Sequence, residues 1–263
     1  MAGSNEGVTL PSPEQAMVAK LTETARKAGQ LLLQFRAEGK TGEADMASQE
    51  LIVKAIRNLG RKEFILGEEG SEDTQELPDT YWSVDPLDGS AVYANDCPEF
   101  AVSIALIENG EPKLAVIHLP AQGITITAIK GRGCFVNGER VAIPTPKDPR
   151  ESLIGLDFAK AVNPEFDGNV NVPLTKAFRY VRNQPSVASG VELLQGRTIA
   201  WVSSNARNWD VAAVALAITE AGGIVQCLDG KPIPWDQVKL PPLLFAANPE
   251  IAQYVRSKVK QSS

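Results

Sequence analysis

The run Val211-Ala212-Ala213-Val214-Ala215-Leu216-Ala217-Ile218 constrains the fold of this chain more than any other stretch. Read at helical spacing it is apolar almost all round, and a helix without a polar face has to be buried. Gly222-Gly223 gives it a conventional stop, so a helix is predicted over 208–221. Asn208-Trp209-Asp210 opens it and sets one carboxylate at the mouth of a buried element, with Trp209 as packing. Asp210 then has two readings. It interacts with the helix N-terminus, worth roughly 0.3–1 kcal/mol, or it projects from a rigid element as a metal ligand.

A second constraint is Asp85-Pro86-Leu87-Asp88-Gly89-Ser90. Trp82-Ser83-Val84 ahead of it reads as the end of a buried strand. Pro86 is expected to stop that strand, and Gly89 allows a turn that a side chain would obstruct. Two carboxylates three residues apart on such a turn can converge on one point. Unpaired they repel, and a bound cation is the simplest way to keep both charged. The alternative is an ordinary capped strand-to-helix turn. Gly67-Glu68-Glu69-Gly70 follows the short strand Phe64-Ile65-Leu66, so a glutamate stands at a strand end. It is a solvated loop charge unless neighbouring strands bring it beside Asp85.

Composition narrows the chemistry. With 32 acidic against 26 basic residues the formal charge is -6, which argues against a surface built to neutralise nucleic-acid phosphates. No apolar run reaches membrane-spanning length, and no basic-then-apolar leader opens the chain. Cys97, Cys134 and Cys227 are too scattered for a CxxC site, and the odd number predicts buried, unpaired thiols in a reducing cytoplasm. The single histidine, His118, lies in the apolar run Leu114–Leu119 and reads as structural. Hydrolytic chemistry here has to rest on carboxylates.

Residues 1–11 are small and polar and are expected to be disordered. Ser12-Pro13-Glu14-Gln15 is a capping sequence, and apolar positions from Met17 to Phe35 keep helical spacing. A second helix is predicted from Asp45. Strands are predicted over 64–66, 81–84, 101–107, 113–119 and 124–129. Asn109-Gly110 and Asn137-Gly138 are hairpin signals, making this first sheet largely antiparallel. Past the proline-rich stretch Pro144–Pro149, strands (153–156, 178–181, 198–202, 224–227, 243–246) alternate with helices (172–177, 186–194, 208–221 and one from Pro249). The plan is an N-terminal α+β metal-binding domain over 12–147 and a C-terminal α/β domain over 148–263.

Leu66-Gly67-Glu68-Glu69, Trp82 to Ser90, Trp209-Asp210-Val211-Ala212-Ala213 and Glu220-Ala221-Gly222-Gly223 together resemble the signatures of the inositol monophosphatase family. Pro98 to Ala105 and Gly131 to Gly138 resemble its intervening stretches, so the resemblance extends over nearly the whole chain. It implies the layered αβαβα sandwich shared with the fructose-1,6-bisphosphatases. It implies a cytoplasmic, lithium-sensitive, Mg²⁺-dependent phosphomonoesterase, a homodimer, acting on a small phosphorylated metabolite rather than on nucleic acid or membrane. By the same resemblance, Glu68, Asp85 and the Leu87 carbonyl hold one Mg²⁺, and Asp85, Asp88 and Asp210 a second. Asp45 supports a third, weaker ion through water. Ser90, where the family has threonine, works with Glu68 on the attacking water, and the Gly89 and Ser90 N–H groups take phosphate oxygens.

Three departures bear on substrate. Val92 replaces a polar residue, the segment Lys40–Ala44 before Asp45 is short, and Gln184-Pro185-Ser186-Val187-Ala188 replaces a Gly-Ser/Thr-Ala-Ala turn. Ser203 stands where inositol-specific members carry a glutamate, which weakens the case for inositol itself. Ser186, Ser203 and Arg207 are the leaving-group contacts this implies, although Arg207 reads equally as a solvated loop charge. Three functions follow: hydrolysis of a polyol or sugar phosphate, hydrolysis of 3'-phosphoadenosine 5'-phosphate, or binding of a phosphometabolite without turnover.

Overall fold

The computed structural model describes residues 12–71, 76–158 and 163–260; the tail expected to be disordered, 1–11, lies outside them. Ser12 caps α1 (Pro13–Ala37) reciprocally with Gln15, as its sequence predicts. A short 3-10 turn leads into α2 (Ala44–Asn58), with Asp45 in its first turn. The chain then forms β1 (Phe64–Gly67), β2 (Tyr81–Asp88), a short α3 (Ser90–Ala94), and β3 (Ala101–Glu108), β4 (Glu111–Leu119), β5 (Ile124–Ile129), β6 (Gly133–Val136) and β7 (Glu139–Val141). These seven strands lie in sequence order in one sheet; β1 and β2 are parallel and every other neighbour is antiparallel. Asn109-Gly110 and Asn137-Gly138 make the predicted turns with positive φ at both residues.

The second sheet takes β8 (Leu153–Leu156), then α4 (Pro164–Phe166), a π-wound turn (Asp167–Asn171) and α5 (Val172–Ala177) before β9 (Tyr180–Arg182). Next come α6 (Ser186–Leu194), β10 (Thr198–Ser203), α7 (Asn208–Glu220), β11 (Ile224–Cys227), β12 (Leu243–Ala246) and α8 (Pro249–Lys258). Its order is β11-β12-β10-β8-β9, with β8, β9 and β10 parallel. The strand predicted at 178–181 starts later, because Phe178 ends α5 and packs edge-on against Tyr254.

Alternation on the central strands explains the layering. Val102, Ile104 and Leu106 of β3, with Leu114 and Val116 of β4, join α1 and α2 in one core. The intervening Ala105, Ile107, Ala115 and Ile117 face the other way, into a larger core shared with α6, α7 and the second sheet. α7 lies against β3 and β4, α6 packs on α7 and β10, and α5 and α8 cover the far side. The result is five layers, αβαβα. The apolar helix is buried as predicted, and its alanines let it approach a sheet face that also carries small side chains. Gly190 of α6 is required by that closeness, since a Cβ there would run into the Val214 side chain.

His118 is a packed sheet residue: its Nδ1 lies 3.0 Å from Thr125 Oγ1 and 3.1 Å from the Ile124 carbonyl, and burial lowers its pKa. Cys134 and Cys227 are buried thiols. Cys97, expected to be buried too, is half-exposed, because it falls in the loop after α3 with Sγ 3.6 Å from the Asn95 carbonyl. Among the described residues no helix is long and apolar enough to cross a membrane.

Candidate active site

Strand β2 does not stop at Pro86 as the sequence suggested. Asp85 pairs with Ser103 and Asp88 with Ala101, so three steps on β2 match two on β3 and one residue is extra. A proline without an N–H is tolerated in such a bulge. The extra residue decides the chemistry. In a regular strand residues three apart point to opposite faces; here Asp85 and Asp88 share one face, the side covered by α6 and α7. Leu87 goes the other way, into the α1–α2 core. The parallel register Gly67↔Val84 brings Glu68 beside Asp85, and the Glu68 N–H donates to the Val84 carbonyl at 3.2 Å. Gln49 braces this loop: its Nε2 donates to the Glu69 carbonyl at 2.7 Å and its Oε1 accepts the Glu69 N–H at 3.1 Å.

α7 is tied to the same strand. Asn208, 0% exposed, accepts the Ser83 hydroxyl on Oδ1 at 2.9 Å. Its Nδ2 donates to the Tyr81 hydroxyl at 2.7 Å and to the carbonyls of Trp235 (3.3 Å) and Gln237 (3.2 Å). Asp210 lies two residues after Asn208 and Asp85 two after Ser83, so this knot sets the spacing of both acids.

The carboxylates are only partly compensated. Asp85 Oδ1 accepts the Leu87 N–H at 2.9 Å, Asp88 Oδ2 that of Val187 at 2.9 Å, and Asp210 Oδ2 that of Arg207 at 2.6 Å. Through that bond Asp88 caps α6, which has no side-chain cap of its own. Asp45 Oδ1 is buried with no hydrogen-bond partner among the described residues. No lysine or arginine among the described residues forms an ion pair with Asp45, Asp85, Asp88 or Asp210. Burial raises all four pKa values, and the Glu68 charge adds to each. Asp45 is pushed up to about 6 and Asp210 to about 7, while Asp85 and Asp88 are raised well above the ordinary range.

These residues fit a hard divalent cation. The donors are all oxygens, one buried acceptor is orphaned, and Glu68, Asp88 and Asp210 each disfavour ionisation of Asp85. Among the described residues no three of them are drawn into a ready-made cage. A cation held among them would offset the repulsion between the acids.

The remaining candidates surround this group. Gly89 has φ +86°, and a Cβ on it would lie 2.8 Å from Pro185 Cγ and 3.0 Å from the Glu99 carbonyl oxygen. Ser90 is exposed and Ser186 half-buried. A cleft of about 340 Å³ lined by Val92, Glu99, Asn183, Gln184 and Pro185 flanks the Gly89 turn. Arg207 is exposed and contributes its backbone N–H to Asp210. Ser203 is buried, and its hydroxyl donates to Asp157 Oδ2 at 2.5 Å. The sequence reading missed Asp157, Asn208 and Gln49. Asp157 carried a signal, an acid directly after a predicted strand, as Glu68 is. The other two act through partners remote in sequence and carried none.

The profile of the Inositol monophosphatase family matches residues 14–262. A "Fructose-1,6-bisphosphatase/inositol-1-monophosphatase" of Thermotoga maritima is 34% identical over 218 residues, covering 78% of this chain and 82% of that protein. The "Nus factor SuhB" of Pseudomonas aeruginosa is 31% identical over 237 residues, covering 82% and 87%. An inositol monophosphatase from Anabaena superposes with a TM-score of 0.82 at 25% identity, over 95% of this chain and 98% of its own. An extragenic suppressor protein suhB from Bartonella henselae gives 0.82 at 25% identity, over 94% and 100%. With the five-layer fold and the carboxylate group already described, the match over nearly the full length shows that the chain belongs to the inositol monophosphatase family and so to the phosphoric monoester hydrolases.

Proposed function

We propose that this chain hydrolyses the phosphate monoester of a small polyol or sugar, with Mg²⁺ held by Glu68, Asp85, the Leu87 carbonyl, Asp88 and Asp210. The observation that carries this reading is that Asp85 and Asp88 of β2 and Asp210 of α7 meet in one locality, have their pKa values raised by burial and by neighbouring acids, and form no ion pair with a lysine or arginine among the described residues. Metal dependence is the general habit of the family, and the cation supplies charge neutralisation, Lewis-acid polarisation and a more acidic water.

The chain's own groups do the rest. Gly89 and Ser90 offer backbone N–H groups to phosphate oxygens, on a turn that tolerates no Cβ at Gly89. Ser90 Oγ and Glu68 orient the attacking water and accept its proton. Water attacks the phosphorus directly, so no residue is phosphorylated. Asp45, raised to about 6, stands beside Glu68 as a further acceptor, suited to a weakly held additional ion. Ser186 and Arg207 border the leaving-group side.

Phosphate release from a panel of polyol, sugar and nucleotide monophosphates, with 3'-phosphoadenosine 5'-phosphate included, tests this with and without Mg²⁺. Asp88→Asn serves as the inactive control. A chain that turns over nothing at any Mg²⁺ concentration binds phosphometabolites without catalysis, and the proposal fails. Lithium inhibition and a dimeric mass in solution belong to the same reading, each open to direct measurement.

A further inference from the structure

Asp157 is an acid that the proposed hydrolysis has not used. It directly follows β8, and its N–H donates to the Val202 carbonyl at 3.2 Å across the parallel β8–β10 register Leu156↔Val202. Its carboxylate therefore lies at the same strand ends from which the chain continues through 204–207 into α7 and Asp210. Asp157 is among the charges that raise the Asp210 carboxyl, which makes the two neighbours.

The carboxylate is held rigidly. Trp201 Nε1 donates to Oδ1 at 3.0 Å, Ser203 Oγ to Oδ2 at 2.5 Å, and the Ser204 backbone N–H adds a third bond. An ionised carboxylate accepts about four hydrogen bonds, so these three donors do not exhaust it. No lysine or arginine among the described residues pairs with it. Nor is it sealed in: Asp157 is half-buried and the next residue, Phe158, is 49% exposed. A rigid acceptor with a spare lone pair, at the strand ends that lead on to Asp210, matches a ring that presents hydroxyls on its edge.

We infer that Asp157, steadied by Ser203 and Trp201, is a specificity residue that accepts a hydroxyl of the leaving group, selecting phosphate esters of hydroxyl-bearing rings (cyclitols and sugars) over esters without hydroxyls. This rests on the hydrolytic reading above. The Ser203 hydroxyl consequently serves the substrate through Asp157 and does not touch it.

The test compares wild type, Asp157→Asn and Ser203→Ala, each checked by thermal unfolding, on myo-inositol 1-phosphate and on p-nitrophenyl phosphate, which has no ring hydroxyl. Asp157→Asn is expected to raise KM for the inositol phosphate by roughly tenfold to a hundredfold, the range of a hydrogen bond to a charged group. Its KM for p-nitrophenyl phosphate stays within about twofold by the same reasoning. Ser203→Ala keeps the charge and shifts the same ratio less. An equal loss on both substrates, or no loss on either, overturns the assignment. Binding of free myo-inositol in the presence of Mg²⁺ and inorganic phosphate, read by ligand-observed NMR, should weaken in Asp157→Asn. That arm decides the matter even if neither substrate is turned over, a result that would sink the hydrolytic reading separately.

Discussion

Replacing Asn208 by alanine tests how the two halves of the acidic group are held in register. The amide is fully buried and joins α7 to β2 through Ser83 and Tyr81, and to the 235–237 segment through two carbonyls. Truncation has unequal consequences. Tyr81 keeps an acceptor, because its hydroxyl also donates to the Trp235 carbonyl at 2.6 Å. The Ser83 hydroxyl, 2% exposed, loses the acceptor it now uses, and the Gln237 carbonyl loses a donor. One stranded hydroxyl and one weakened carbonyl, each at about 1–3 kcal/mol, give a destabilisation of about 2–6 kcal/mol. For a chain of this size that is a fall in Tm of about 4–24 °C. Urea unfolding with a fixed m-value measures it, and the Ser83→Ala double-mutant cycle sharpens it. Removing Ser83 from the Asn208→Ala protein should cost at least about 0.5 kcal/mol less than removing it from wild type, because the stranded group is gone. Strict additivity, or a single-mutant loss below about 1 kcal/mol, would refute the account of the knot.

Stability without metal should fall as pH rises from about 4 to about 7, because Asp45 and Asp210 have folded-state pKa values near 6 and 7 against an ordinary 3.8. The folded protein binds the extra protons, so the stability they give is complete below the ordinary value and gone above the raised ones; urea midpoints across pH 4–8 in chelator read this, and Mg²⁺ should restore most at the alkaline end. Asp88→Asn should abolish phosphatase activity yet raise Tm in chelator, since it removes one charge from a repelling group while its amide oxygen can still accept the Val187 N–H; a lower Tm would contradict the repulsion. Gly89→Ala, strained by φ +86° and by contacts of 2.8–3.0 Å, should lose activity more than tenfold at nearly unchanged Mg²⁺ affinity, read by steady-state kinetics. Gly190→Ala should destabilise by about 1–3 kcal/mol in urea unfolding, through overpacking against Val214.

What could be read from the sequence follows from how local each signal was. The buried helix at 208–221 was legible because an apolar surface all round leaves no alternative, and the hairpins because Asn-Gly pairs accept positive φ cheaply. Glu68, Asp85, Asp88 and Asp210 stood out because each is an acid at the boundary of a regular element. Pro86 misled, since a proline ends a regular strand but is tolerated within a bulge. Strand order was not legible, because pairing between remote segments leaves no local trace. Nor was the role of Ser203: a serine at a strand end says nothing of the Asp157 carboxylate 46 positions away in sequence that accepts its hydrogen bond.

The extra residue in β2 makes the site a matter of counting. Inserting one residue into β3 between Ala101 and Ser103 would restore a regular ladder and, with Asp85 and Asp88 still three apart, turn Asp88 away from α6, toward the face where Trp82, Val84 and Leu87 meet the first two helices. A charge would enter an apolar core, and α6 would lose its cap in the same event. The two strands should therefore tolerate a volume-conserving exchange such as Leu87→Met in that core far better than a change in their relative length. An insertion that the loops beyond β7 would absorb is barred from these few positions of β3.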